Sequence, residues 1–306
     1  MFICLDLGGS NIRGTWFSGS GQSGIIRKKV RPADLDGTKA TLRELIREIS
    51  SDCPAAPGKI GVASAGPMDI EKGTYLTPTN MPELKGFNLK RFVRECFGLE
   101  SVLENDAQAA ALGEAYKGCL AGADDAMVFT LGTGLGSGVI MDSKIWRGRH
   151  PAGPELGHLY LGPGRKIKCG CGQTGCAETW LNARALFDLA VNNCPGLVKL
   201  KDIDALLVDR DVLALQTMEK YGLRLGLYLS QVISVFGITR VGLSGGLSRL
   251  APFYVKAVHK TLRHRLGKRK WLIPDKIGIA PDPEMSALWG MCFLLQNSSK
   301  QEPSGF

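Results

Sequence analysis

The chain has no apolar run approaching the ~20 residues that a membrane-spanning helix needs, so no membrane partner is expected. Its first ten residues, MFICLDLGGS, show no basic stretch and no small-residue cleavage site, and they enter a strand-like run at once. A secretory signal is therefore not expected. Histidine is scarce, with four in 306 residues, so few places can build an imidazole-centred site. Nine cysteines make an odd count in a long chain, which excludes a small secreted disulfide scaffold. Six of them (Cys4, Cys53, Cys96, Cys119, Cys194 and Cys292) stand singly in apolar or helical contexts. They read as small buried hydrophobes of a protein in a reducing, cytoplasmic setting. No low-complexity linker interrupts the chain, apart from a short polar tail at 297–306.

What is present is an ordinary globular composition, 44% hydrophobic and 22% charged, long enough for two domains. Lys and Arg outnumber Asp and Glu by 38 to 29, a formal net charge of +9. Such a field suits a polyphosphate substrate. The densest basic run, RHRLGKRK at Arg263–Lys270, carries no interleaved aromatic residue on which bases could stack. It reads as a solvated helix end and loop, and no nucleic-acid partner is expected.

The run FICLDL, then GGSNIRG, GTWFSGSG and IIRKKV, predicts an antiparallel meander of strands joined by glycine turns. Because a strand follows Gly8, Gly9 and Gly14, the dinucleotide fingerprint, which opens a helix, does not fit. TKATLRELIREIS at 38–50 puts Leu42, Leu45, Ile46 and Ile49 on one helical face. KIGVASAG is a buried strand, and SVLENDAQAAALGEAYKG passes from strand to alanine-rich helix. The opening pattern recurs in AMVFTLGTGLGSGVIMD, about 125 residues later, which suggests a duplicated architecture. Helices are expected at 178–192, 203–208, 211–236, 252–265 and from 284, with strands in TRVGLSGGLS and KIGIA.

Two glycine hairpin turns can present backbone N–H groups to phosphate oxygens, one at Gly8–Gly9 and one at Gly132–Gly134. Gly245–Gly246, after VGLS, can let an adenine ring lie flat on the backbone. Asp6 beside the first turn is placed to hold Mg²⁺ or to cap the turn. Asp106, at a strand-to-helix junction, is either an N-cap or a general base for phosphoryl transfer. KCGCGQTGCAE, Lys168–Glu178, contains C-x-C-x₄-C. Cys169, Cys171 and Cys176 need a fourth ligand for zinc; His158 is the nearest histidine and His150 the local alternative. The spacing is not C-x-x-C, so thioredoxin-like redox chemistry is disfavoured, and it is too tight for a C₂H₂ finger.

In this order LDLGGSNIRG, ENDAQAAALGE, LGTGLGSGVI, ELGH, CGCGQTGCAE and LSGGLS cover nearly the whole chain. Together they resemble the ROK family (repressor, open reading frame, kinase) within the actin-like ATPase superfamily. The resemblance implies an α/β, two-lobed actin-like ATPase (ribonuclease H-like) fold with duplicated mixed sheets and a cleft between the lobes. It divides the chain at 107, with the helix from 284 returning to the first lobe and 108–283 carrying the zinc site. It implies an ATP-dependent kinase, with Mg²⁺ and structural Zn²⁺, acting on the 6-hydroxyl of a hexose or N-acetylhexosamine, and a homodimer. Asp106 resembles the family's base, and Asn80, Asn105, Glu155, His158 and Glu178 resemble its sugar ligands. His158 would also join Cys169, Cys171 and Cys176 on zinc. Asp6, Gly8, Gly9, Ser10 and Asn11 with Gly132, Thr133 and Gly134 resemble the phosphate loops, and Gly245–Gly246 the adenosine loop. Pro154 before Glu155 departs from the family's usual A-G-E-x-G-H. Glucose is the first expectation; N-acetylglucosamine, N-acetylmannosamine, mannose and fructose share these motifs. Repressors of the family carry an N-terminal helix-turn-helix, whereas the first phosphate strand here begins at residue 2. A regulator or a sugar-sensing pseudokinase is the competing expectation.

Overall fold

In FICLDL every second or adjacent apolar residue finds the interior: Ile3, Cys4, Leu5 and Leu7 have no exposed surface and form β1 (Phe2–Leu7). The computed structural model describes residues 1–19, 21–30, 33–78, 81–149, 153–163 and 167–298. The glycine turn returns the chain antiparallel as β2 (Asn11–Ser18), in a register that sets Asp6 opposite Arg13. β3 (Gly21–Gln22) and β4 (Ile26–Lys29) pair with β2, completing the expected meander. The Asp34 carboxylate caps α1 (Leu35–Asp52), whose buried face carries Leu42, Leu45, Ile46 and Ile49 as the spacing requires. β5 (Lys59–Ser64) lies parallel to β1. A small hairpin, β6 (Met68–Asp69) and β7 (Thr74–Tyr75), leads to α2 (Leu89–Phe97), capped by Asn88 and closed by Gly98 at φ +66°. β8 (Glu100–Asn105) lies parallel to β5 at the sheet's edge, and α3 (Asp106–Tyr116) starts directly from it.

The pattern then repeats. β9 (Ala126–Leu131) turns into β10 (Leu135–Met141), which continues to β11 (Lys144–Ile145). After the cysteine-rich segment come α4 (Glu178–Leu181), α5 (Ala183–Asn193), α6 (Ile203–Val208) and α7 (Val212–Phe236). β12 (Val241–Ser244) and β13 (Ile277–Ile279) flank α8 (Ala251–Leu266), and α9 (Ser286–Ser298) follows. β1, β5 and β8 run parallel behind the first hairpin, and β9, β12 and β13 run parallel behind the second. The duplicated mixed sheets expected from the two glycine turns are therefore present. The single helix expected over 178–192 is broken at Asn182. Its backbone is extended and its side chain accepts the Ala185 N–H, so it ends α4 and caps α5.

The chain divides into two compact units. One holds 1–122, 138–154 and the chain from 284 onward; the other holds 123–137 and 155–283. In the second, α7 packs on α8, with the Tyr221 and Tyr254 rings edge to face at 5.2 Å. Among the described residues no helix is long and apolar enough to cross a membrane.

In the first unit α3 and α9 cross at glycine. A Cβ on Gly113 would sit 1.9 Å from the Ser286 carbonyl oxygen, and one on Gly290 would sit 1.9 Å from that of Ala109. Nearby, buried Glu114 accepts the Ser286 hydroxyl and the Cys119 N–H, so the crossing is also tied by polar bonds. Gly290→Ala should therefore lower stability by about 1–3 kcal/mol, the range for overpacking against backbone. Urea titration should show a lower midpoint at unchanged slope; an unchanged midpoint would contradict this account of the crossing.

Candidate active site

The residues singled out by sequence fall into two sets, one in each unit. In the first, β1 delivers Asp6 to the start of the glycine turn. There the Gly8 N–H bonds the Asn11 carbonyl at 3.0 Å, and the Ser10 carbonyl accepts the Val30 N–H at 3.0 Å. Ser10 and Asn11 are exposed at this rim. Asp6 is paired with Arg13 across the strands, Nε to Oδ2 at 2.8 Å, and Arg13 reaches on to Glu284 at 3.8 Å. Both Arg13 bonds fall on Oδ2.

Asn105 and Asp106 stand where β8 becomes α3. The first amides of a helix have no partners within it. Here the Asn105 Oδ1 accepts the Ala107 N–H at 3.0 Å and that of Gln108 at 3.2 Å, while Asp106 Oδ1 accepts the Ala107 N–H at 2.8 Å. Asn105 is thus the cap, and Asp106, half-buried, is the first residue of the helix. Two features that no local spacing signals surround this pair. The Ser64 hydroxyl, beside Asn105 in register, is bonded to the Tyr75 hydroxyl at 2.6 Å. Burial pushes the Tyr75 hydroxyl well up, so it stays protonated. Glu104, fully buried, accepts Arg147 on Oε2 and the Asn105 N–H on Oε1 at 2.9 Å. Burial raises its carboxyl above the usual range, opposed by the Arg147 guanidinium and the Asn105 N–H. Asn80 and His150 lie outside the described residues.

In the second unit the turn Gly132–Thr133–Gly134 is closed by the Gly132 N–H on the Gly134 carbonyl at 3.1 Å, with Thr133 exposed. Gly245, at φ +82°, passes 2.6 Å (measured from a Cβ position) from the Leu131 carbonyl oxygen, so no other residue fits that step. Gly246 is exposed beside it. The cysteine segment folds as a knuckle. The Cys169 N–H bonds the Gln173 carbonyl and the Gly172 N–H bonds the Cys169 carbonyl, both at 2.8 Å. ELGH forms a single 3₁₀ turn over Leu156–His158. There a Cβ on Gly157 would approach the Leu135 carbonyl oxygen to 2.3 Å, so the turn lies directly on the start of β10.

These folds bring His158, Cys169, Cys171 and Cys176 together, with one donor atom from each all within 4.8 Å of one another. Cys169 Sγ lies 3.4 Å from His158 Nδ1, and Cys171 Sγ lies 3.6 Å from Cys176 Sγ. Tetrahedral zinc with Zn–S near 2.3 Å and Zn–N near 2.0 Å would separate its ligands by about 3.5–3.8 Å. The donor set and spacing therefore fit such an ion. Burial raises the Cys169 thiol, opposed by the Cys171 N–H, with the neighbouring Glu178 carboxylate pushing it further up. His158 Nε2 faces away toward Glu155, at 3.5 Å. Glu178 bridges knuckle and turn: Oε2 accepts the Leu135 N–H at 3.0 Å, and Oε1 lies 3.3 Å from Cys169 Sγ. Its short helix is anchored by the Tyr221 hydroxyl on the Leu181 carbonyl at 2.7 Å.

Comparison with known proteins matches this arrangement to one family. Residues 2–298 match the ROK family. The xylose repressor of Bacillus spizizenii is 27% identical over 82% of this chain and 66% of its own length, so the chain spans just under two thirds of that relative. The N-acetyl-D-glucosamine kinase of Aliivibrio salmonicida is 30% identical over 68% of this chain and 72% of its own. A solved ROK family glucokinase from Streptomyces griseus, in complex with glucose and AMPPNP, superposes with a TM-score of 0.85 at 27% identity, covering 96% of this chain and 98% of that one. With the match spanning both glycine turns, the strand-to-helix junction and the cysteine knuckle, the chain belongs to the ROK family.

Proposed function

We propose that the protein transfers the γ-phosphoryl group of ATP to the 6-hydroxyl of a hexose, glucose first, with N-acetylglucosamine, N-acetylmannosamine and fructose as alternatives. The observation that carries this reading is Asp106, held at the first turn of α3 beside the capping Asn105. A carboxylate so placed can accept the hydroxyl proton as the sugar oxygen attacks the γ-phosphorus and the bond to the β–γ bridging oxygen breaks, releasing ADP. Such a transfer asks for positioning more than for strong basicity. Relatives support the same reading, since the glucokinase of Halalkalibacterium halodurans is 25% identical over 84% of this chain.

In this reading Asn105, Glu155, His158 and Glu178 are sugar ligands, with Asn80 a further one. Gly8–Asn11 and Gly132–Gly134 take the phosphates, Asp6 faces Mg²⁺, and Gly245–Gly246 takes the adenosine. Zinc on His158 Nδ1, Cys169, Cys171 and Cys176 would supply fixed geometry rather than chemistry. With Nδ1 committed, the ring is set so that Nε2 is presented on the Glu155 side. The two xylose repressors at 27% identity support a second reading, a sugar-responsive regulator. Such a protein would bind sugar without turning over ATP.

Asp106→Ala should lower kcat by about 10²–10⁴-fold, the usual worth of a positioned base, while leaving ATP affinity close to that of the wild type. A coupled ADP-release assay and nucleotide titration separate the two, and wild-type turnover would remove Asp106 from this role. For the knuckle, metal analysis of the purified protein should find zinc, and Cys171→Ser should lose it together with efficient sugar use. A zinc-free wild type would defeat the metal assignment.

A further inference from the structure

Glu104 is a carboxylate with no exposed surface, placed one residue before the candidate pair, and phosphoryl transfer does not itself use it. A buried charge persists only where partners offset its lost hydration. Its partners are the Arg147 guanidinium on Oε2 and the Asn105 N–H on Oε1 at 2.9 Å. Asn105 in turn holds the amides of Ala107 and Gln108. A continuous run of hydrogen bonds therefore leads from Arg147, through Glu104 and Asn105, to the turn that carries Asp106. β8 is the last strand of its sheet and pairs only with β5 among the described strands, so its outer side has no strand to restrain it. Arg147 arrives there from just beyond β11, in a stretch fixed by the Trp146 N–H on the Val139 carbonyl at 2.8 Å.

We infer that the buried Glu104–Arg147 pair sets the position of Asn105 and Asp106, which makes Arg147 a positioning residue for the proposed transfer. The inference rests on the kinase reading for its catalytic consequence, but its geometric content does not. Arg147 acts through Glu104: its guanidinium opposes the rise that burial imposes on the Glu104 carboxyl, and an ionised Glu104 accepts the Asn105 N–H more strongly than a neutral one. Arg147 is the charged side chain set against Glu104, opposing the effect of burial. Asp142 and Lys144, on the same hairpin, line a cavity with Arg147, Val102 and Leu112, and are the other charged groups of that cavity among the described residues.

The test uses the full chain with Arg147→Met, Arg147→Lys, Glu104→Gln and the double variant Glu104→Gln/Arg147→Met. A displaced base costs up to about 10²-fold, so Arg147→Met should lower kcat by about 10–100-fold with KM for ATP little changed. Its rate should also gain a limb that rises with pH. Without Arg147 the Glu104 carboxyl stays protonated at low pH, releasing Asn105, and recovers its hold as it ionises. Arg147→Lys should abolish the limb by keeping a cation there, and Glu104→Gln should abolish it by removing the titrating group. The double variant should regain thermal stability, having no lone buried charge, without regaining kcat. Should Arg147→Met fail to fold, Arg147→Lys and Glu104→Gln carry the comparison through kcat at constant KM.

In parallel, the Asn105 amide resonance should shift upfield in Glu104→Gln. In Arg147→Met it should titrate with the same midpoint as the rate. That signal reads the contact whether or not the protein turns over sugar, so a wild type with no activity would defeat the kinase reading while this measurement still decided the geometric one. A folded Arg147→Met protein with wild-type kcat and a flat pH profile would overturn the inference. So would recovery of both stability and kcat in the double variant, or an Asn105 amide that ignores Glu104.

Discussion

The unpaired amides at the start of α3 are the constraint on which the candidate site depends. The first amides of a helix that begins directly from a strand have no partner within the helix. The chain meets this with its own side chains: Asn105 takes two of the amides and Asp106 bonds the first of them. The residue that could act as base is thereby fixed by the same bonds that allow the helix to start. Behind it, the glycine crossing of α3 and α9 brings two backbones closer than any Cβ would permit, which holds the body of the helix. Position at the junction follows from packing some distance away from it.

The second set of residues obeys a different constraint. ELGH and the cysteine segment have little regular structure, and short turns of this kind have low intrinsic rigidity. The donors converge because hairpin-like bonds around Gly172 turn the chain back, and because Gly157 lets its turn rest on β10. A metal held by His158 and the three cysteines would complete that restraint. Glu178 ties the knuckle to the glycine turn within this unit, through the Leu135 N–H on Oε2 and Cys169 Sγ beside Oε1.

Much of this was legible in the sequence where the signal is local. The alternation of FICLDL, the glycine turns, the face of Leu42, Leu45, Ile46 and Ile49, and the order of the motifs all lie within short windows. What the sequence did not reveal is the set of partners brought in from a distance. Arg147 meets Glu104 across 43 residues, Tyr221 reaches Leu181 across 40, and Arg13 occupies Asp6 through strand register alone. The break at Asn182 is hidden from the sequence for a related reason. Apolar periodicity continues through it, and only the capping bond to Ala185 shows that the helix restarts there. Asn80, whose motif marks it as a sugar ligand, lies outside the described residues.

The central claim is that this chain phosphorylates a sugar at its 6-hydroxyl. The most direct measurement is ³¹P NMR of the wild-type protein incubated with ATP, Mg²⁺ and, separately, glucose, N-acetylglucosamine, N-acetylmannosamine, mannose and fructose. The account predicts that, with at least one of these sugars, the γ-phosphate signal of ATP is replaced by that of a sugar 6-phosphate together with ADP. Sugar binding by calorimetry with no sugar phosphate formed from any of the five would contradict it.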